Sequence, residues 1–406
     1  MRITAVETLR PSIQPNVCLL QLHTDVGQTG IGEAFFAASA VEAYLHDTVA
    51  PVILGTDDLL PQQAASRLAP YTGYQGGGVE TRAIGAVDLA LWDLLGKRAG
   101  LPVADLLGGA VRPELRVYNT CAGPGYVRTS TRQEMDNWGI GAGPGAAAGR
   151  QYEDLDAFLN RPGELAKDLR ADGVTAMKVW PFDSYAERSN GTAITDAELA
   201  RGLSVLEQIR SAAGAPDMDV MVELHGLWNR PCAERICTAL APYRPLWVED
   251  PIRPDAVDAL AALRRAVDVP IATGETVTGR RGFLPLLQQG AIDVVTVDIG
   301  WTGGITEARK IATLADTFGV PVAPHDCTGP VAFAACCHVV LSQPNGMIQE
   351  TVRAFLRTWY AELVEGLPEV ADGVVRLGSE AGLGVRLVEN LAGRPGVSRR
   401  VTGLED

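Results

Sequence analysis

Six segments of the chain end alike: an apolar run, then a carboxylate or histidine, then Gly, Pro or a polar turn. They read VMVELHG, PLWVEDP, VPIATGET, VVTVDIG, VPVAPHD and GMIQET, and they present Glu223, Glu249, Glu275, Asp298, His325 and Glu350. Three converging carboxylates such as Glu223, Glu249 and Glu275 repel one another in a low-dielectric site unless a divalent cation neutralises them. Oxygen-only ligands favour Mg²⁺ over zinc, and Mg²⁺ keeps positions open for substrate oxygens. Asp298 and His325 close consecutive segments. A carboxylate bonded to one imidazole nitrogen fixes the tautomer and raises the basicity of the other, which is how a general base is built. His225 follows Glu223 by two residues, so an extended strand would turn both to one side and add a second acid/base group. Lys178, in VTAMKVW, offers positive charge to an oxyanion, and Glu350 offers a hydrogen-bonding or orienting carboxylate. The other three of the five histidines, His23, His46 and His338, read as structural.

Positioning such groups on one face requires a repeat. Successive differences between the six positions are 26, 26, 23, 27 and 25 residues, the length of one strand, one helix and two short loops. That is the internal period of a (β/α) barrel, whose strand ends all open onto one face. The first two barrel strands are predicted at LRVYNTCA (115–122) and VTAMKVW (174–180). Thr195 and Glu198 form a capping box for a helix lined by Leu199, Leu203, Leu206 and Ile209. Further helices are predicted near 255–266, 281–289, 304–318 and 329–342. Residues 122–155 break the rhythm with GIGAGPGAAAG, too glycine-rich for a stable helix, on the active-site face.

Before the repeats, residues 1–34 alternate as short strands with turn signals at Pro11, Gly27 and Gly30. The pattern then turns helical, and TRAIGAVDLALWDLLGKRAG places Ile84, Val87, Leu91 and Leu94/Leu95 on one face. The fold class predicted is α/β, a modified TIM barrel with an N-terminal α+β capping domain completed by the C-terminal tail. Its units are 1–112 (cap), 113–370 (barrel) and 371–406, a segment carrying GVVRLG that is expected to return to the cap. A cap is expected to cover the strand ends, because a barrel mouth is open to water and excluding water strengthens each electrostatic interaction inside.

A net charge of −14 argues against nucleic acid or an anionic membrane as partner. No apolar run approaches membrane-spanning length, and the first residues read as a strand rather than a leader. Seven cysteines fit neither a disulfide framework nor a zinc spacing. They read as reduced, buried residues of a cytoplasmic protein.

Several linked motifs then resemble one family over nearly the whole chain. AVDLALWDLLGKRAGLPVADLLGG (86–109), WVEDP, GET and GGITEARKIA (303–312) are similar to the enolase superfamily, in its mandelate racemase-like group. The resemblance implies metal ligands at Glu223, Glu249 and Glu275 for one Mg²⁺ per subunit, a His325–Asp298 dyad, and Glu350 as the eighth-strand glutamate. Where racemases carry Lys-x-Lys, this chain has Lys178-Val179-Trp180, which disfavours two flanking bases. Glu223-x-His225 is similar to the Asp-x-His of galactonate-type sugar-acid dehydratases, with glutamate longer by one methylene. The implied reaction is abstraction of the proton α to the carboxylate of a small sugar acid or hydroxy acid, an enediolate, and loss of the β-hydroxyl to a 2-keto-3-deoxy acid. His325 would be the base, His225 the acid, and a homo-oligomer is expected. The alternative is an epimerase, racemase or cycloisomerase using the same enediolate. A metal-dependent hydrolase would want His-x-His on the first strand, which TCAGPG does not supply, and a non-catalytic binder would have lost one of these groups. Substrate selection is expected from Pro11–Asn16, Glu33–Ala38, Tyr74-Gln75 and the 122–155 insertion.

Overall fold

The computed structural model describes residues 1–69, 77–127, 153–212 and 217–404. Expectations placed on Tyr74, Gln75 and positions 128–152 of the insertion fall outside the described residues.

The chain opens with three antiparallel strands, β1 (Ile3–Pro11), β2 (Val17–Thr24) and β3 (Thr29–Phe35), in register Val6↔Leu22 and Leu20↔Gly32. Period-two alternation gives this sheet two apolar faces. Val6, Leu20 and Leu22 pack into the cap's own core, while Leu9, Leu19 and Ile31 join the large core shared with the barrel. The helix Val79–Ala99 lies against this sheet so closely that a Cβ on Gly32 would stand 2.0 Å from the Ala86 carbonyl oxygen. Val87, Leu91 and Leu94 are buried in the cap core as the helical period predicts, and Ile84 is half-buried beside them. The opposite face is covered too. Leu89 belongs to the barrel-side core, Trp92 Nε1 donates to Thr306 Oγ1 at 2.9 Å, and Asp88 accepts the Thr306 backbone N–H at 2.9 Å.

The barrel strands are β4 (Leu115–Thr120), β5 (Ala176–Val179), β6 (Asp219–Glu223), β7 (Trp247–Glu249), β8 (Ile271–Thr273) and β9 (Val294–Val295), all parallel in chain order. A seventh position is held only by single bridges at Val322 and His325, and β10 (Gln349–Thr351) pairs with β4 to close the ring. Helices lie between the strands where their apolar period predicted them, and the Thr195/Glu198 capping box is formed. The interior holds one residue from each of the eight positions: Tyr118, Ala176, Met221, Trp247, Ala272, Val294, Ala323 and Ile348. Tyr118 and Trp247 meet edge-on with centroids 5.6 Å apart, and three alanines make room for them.

The tail divides, which corrects the expected return of the GVVRLG stretch to the cap. Val374–Arg376 pairs antiparallel with the start of β4, in the register Val375↔Leu115, and so stays with the barrel. Val397–Gly403 alone reaches the cap, where it forms the edge strand beside β1. No helix among the described residues is long and apolar enough to cross a membrane.

Candidate active site

Two positions beyond each residue of that interior plug, the strand period delivers the next inward side chain. Tyr118 leads to Thr120, Ala176 to Lys178, Met221 to Glu223, Trp247 to Glu249, Ala323 to His325 and Ile348 to Glu350. At β8 the same count arrives at Gly274, whose φ of +144° few other residues adopt, and the chain bends there so that Glu275 lines the pocket. The polar layer therefore rests directly on an apolar floor, which removes it from water and strengthens every charge interaction within it.

Glu223, Glu249 and Glu275 are buried, with carboxylate oxygens within 4.8 Å of one another. The Lys178 ammonium stands 3.1 Å from Glu249, 3.1 Å from Glu350 and 3.4 Å from Glu223. Burial pushes the Glu249 carboxyl up to about 7, with Lys178 opposing and the neighbouring glutamates adding to the rise. Glu350 goes the other way, to about 2, because Lys178 and His325 outweigh its burial; Thr120 Oγ1 and the Asp326 N–H also bond it. One lysine against four glutamates leaves negative charge uncompensated. Glu249 Oε1 and Glu223 Oε2 have no hydrogen-bond partner among the described residues. An all-oxygen donor set in which Glu249 Oε1 is bonded by nothing among the described residues, and Glu223 Oε2 meets only the Lys178 ammonium at 3.4 Å, fits a hard divalent cation.

Asp298 and His325 meet as expected from adjacent strand ends. His325 Nδ1 lies 2.8 Å from Asp298 Oδ2, while Asp298 Oδ1 accepts the Trp301 N–H at 2.7 Å as the N-cap of Ile299–Thr302. His325 Nε2 is 3.4 Å from Glu275, and the ring packs on Trp301 at 5.3 Å. Burial alone would lower the His325 pKa, but the Glu275 carboxylate and then Asp298 raise it well above the ordinary imidazole value.

His225 also lines the pocket, though not by strand alternation. β6 ends at Glu223, and His225 takes a left-handed conformation (φ +48°) with its N–H donated to Glu223 Oε1 at 2.7 Å. Its Nδ1 lies 2.6 Å from Asp183 Oδ2. Burial would lower the His225 pKa; Asp183 and Glu223 raise it to about 9. Asp183 was not among the residues singled out from the sequence, since no period marks it. The only available signal was an acid just beyond the second strand, in WPFD. Asp250, inside WVEDP, is likewise buried, with φ +40° and the Thr273 hydroxyl donating to it.

Above the polar layer the described residues form a pocket walled by Trp180, Trp301, Tyr126 and, from the cap, Phe36. Phe36 lies 5.4 Å from Trp301, in the same cavity as Glu275. Asn16 Nδ2 donates to the Val127 carbonyl at 2.6 Å, so the Pro11–Asn16 loop braces the segment after β4. Glu33 is buried with its carboxylate on the N-terminus of the helix Pro330–Ser342, accepting the Val331 N–H at 3.0 Å.

Residues 4–108 match the mandelate racemase / muconate lactonizing enzyme N-terminal domain, and residues 162–391 match the enolase C-terminal domain-like family. The chain is 31% identical to a D-galactonate dehydratase of Ralstonia pickettii over 96% of its own length and 93% of the relative's. A D-galactonate dehydratase of Xanthomonas euvesicatoria is 29% identical over 97% and 94%. A mandelate racemase-subgroup enolase from Agrobacterium tumefaciens, crystallised with sodium and phosphate, superposes with TM-score 0.85 at 41% identity, covering 99% of each chain. An enolase protein from Sargasso Sea environmental sequencing gives 0.85 at 39% identity, covering 100% of both. With both domains matched along the chain, this protein belongs to the enolase superfamily, in its mandelate racemase-like group and of the galactonate dehydratase type.

Proposed function

We propose that the protein is a Mg²⁺-dependent sugar-acid dehydratase, a hydro-lyase that converts an aldonic or related acid to its 2-keto-3-deoxy product. The observation that carries this reading is the convergence at one pocket of Glu223 and Glu275 of the three-carboxylate cluster, His325 of the Asp298–His325 pair, and His225. Relatives named D-galactonate dehydratases support the reaction class. A Lys or His base working with Mg²⁺ is an established property of this superfamily.

Glu223, Glu249 and Glu275 would hold the cation, which when bound withdraws charge from the substrate carboxylate and so acidifies the α-proton. His325, neutral once Glu275 is engaged by the cation instead of by the ring, takes that proton at Nε2, because Asp298 keeps Nδ1–H pointed at itself. Lys178, a buried cation whose pKa Glu249 and Glu350 raise well above the ordinary lysine value against its burial, stabilises the negative oxygen of the enediolate. His225 gives a proton to the departing β-hydroxyl. Trp180 stands where racemases carry their second lysine, so no lysine there returns a proton to the opposite face.

A screen of aldonic and aldaric acids for 2-keto acid formation tests the reading. His325→Asn should lose both dehydration and exchange of the α-proton with D₂O, each by roughly 10²–10⁴-fold. Exchange surviving in that variant would place the base elsewhere. The second reading, an epimerase or cycloisomerase, draws on both imidazoles lining the same cavity. Turnover of an acid without 2-keto product would favour it.

A further inference from the structure

Asp183 opens the helix Asp183–Ser189 and is fully buried, an expensive place for a carboxylate without a purpose. Its Oδ1 has no hydrogen-bond partner among the described residues, and its Oδ2 is 2.6 Å from His225 Nδ1. The His225 backbone is anchored separately, through its N–H on Glu223 Oε1. Trp180 packs nearly edge-on to the His225 ring, with centroids 6.2 Å apart and planes at 79°. Backbone and ring nitrogen are thus each held by a different side chain, and Trp180 packs beside the ring, on an imidazole that lines the pocket. The arrangement repeats the one at His325, where Asp298 takes the same Nδ1 position.

We propose that Asp183 is a positioning residue for the leaving-group step: it holds the Nδ1–H of His225 so that Nε2 presents the proton to the substrate's β-oxygen. This rests on the dehydration proposed above. An ionised carboxylate can only accept a hydrogen bond, so the hydrogen between the two side chains belongs to Nδ1. In the step it serves, the electron pair freed by removal of the C2 proton becomes the C2=C3 bond as the C3–O bond breaks. The oxygen leaves with its electrons, takes the Nε2 proton and departs as water. The enol left behind tautomerises to the 2-keto acid.

The test uses the full chain with Mg²⁺, the sugar acid that the wild type dehydrates in the screen, and that acid's 3-deoxy-3-fluoro analogue. Fluoride departs without needing a proton. Asp183→Ala, and Asp183→Leu as a second variant of similar size that offers no acceptor, should slow dehydration roughly 10²-fold, the scale of a misplaced catalytic group. Both should eliminate fluoride at close to the wild-type rate. Spectra of ¹⁵N-histidine-labelled protein without added metal supply a readout independent of turnover. The wild type should show a slowly exchanging Nδ1–H on His225, assigned by its loss in His225→Asn, and both Asp183 variants should lose it. Equal slowing on the two substrates would mean a merely structural role and overturn the proposal, as would unchanged dehydration or a retained Nδ1–H signal. If the wild type dehydrates no sugar acid, the reaction reading fails, and the His225 signal still decides whether Asp183 holds the ring.

Discussion

Asp298→Asn should do more damage to turnover than Asp298→Ala while doing less damage to the fold, and the geometry says why. Asp298 uses both oxygens: Oδ1 caps the Trp301 N–H at 2.7 Å, and Oδ2 meets His325 Nδ1 at 2.8 Å. Asparagine caps helices as well as aspartate does, so its single oxygen should stay on the Trp301 N–H. Its amide nitrogen then faces His325 Nδ1 and donates to it, which forces the ring proton onto Nε2, the nitrogen meant to receive the α-proton. Flipping the amide back would lose a hydrogen bond worth about 1 kcal/mol and bury two donors face to face, at a further ~1–3 kcal/mol. The wrong tautomer is therefore favoured by about 2–4 kcal/mol, roughly 30–700-fold at 1.4 kcal/mol per decade. Loss of the anion opposite the imidazolium that forms during turnover adds to this, so a fall of roughly 10²–10⁴-fold in kcat is expected, its upper end the drop of about 10⁴ that follows when a triad aspartate becomes asparagine in a serine protease. Alanine gives up the cap, about 0.5–2 kcal/mol of stability, but leaves the ring free to take either tautomer. The assay is 2-keto acid formation at saturating Mg²⁺ alongside thermal melts. The Asn variant should melt higher than the Ala variant and turn over more slowly. An Asn variant within about tenfold of wild type, well short of the effect expected of a mispositioned base, would refute the argument. So would an Ala variant no faster than the Asn one.

Chelation with EDTA should abolish turnover and Mg²⁺ should restore it, whereas rescue by zinc alone would contradict the all-oxygen donor set. Glu249→Gln should remove activity with little change in the melt, because the amide oxygen can still accept the Trp247 Nε1–H that Glu249 Oε2 accepts at 2.9 Å, and the lost charge relieves repulsion among the buried glutamates. Gly329→Ala should cost about 1–3 kcal/mol of stability, measured by urea unfolding, because the new Cβ would lie 2.2 Å from Glu33 Oε1 and displace a buried carboxylate from the Val331 N–H. Adding Glu33→Ala should make the pair less than additive, and strict additivity would rule out that clash. His338 is buried, accepts the Ala104 N–H at 3.1 Å and donates to the Leu383 carbonyl at 3.2 Å, and burial lowers its pKa to about 4. Its neutral form is the native one, so its contribution is complete above the unfolded pKa near 6.5 and is lost as pH falls toward 4, by up to ~3 kcal/mol. The difference in urea midpoint between pH 7.5 and pH 4.5 should shrink in His338→Gln, and an undiminished difference would refute this assignment.

The sequence by itself determined the barrel and the set of side chains that meet at its mouth, because both depend on local periods. A repeat near 25 residues is one βα unit, and a polar residue at the end of each apolar run follows from strand alternation. Tyr118 to Thr120 and Met221 to Glu223 are the same two-residue count made at different strands. Glu275 was read from the same pattern, but it reaches the pocket through the turn at Gly274 and not by alternation. What lay outside local periods was decided by the tertiary structure. The side of Val79–Ala99 that reads as polar or small, with Gly85, Asp88 and Trp92, packs on barrel loops that lie over two hundred residues away in sequence. The GVVRLG stretch has the pattern of any edge strand, and only the open start of β4 determined that it pairs with the barrel instead of the cap. His225 reaches the cavity through a left-handed turn, and its partner Asp183 comes from the helix that follows a neighbouring strand. No spacing rule links residues 42 positions apart on different repeats, so their pairing became visible only once the barrel had brought the strand ends together.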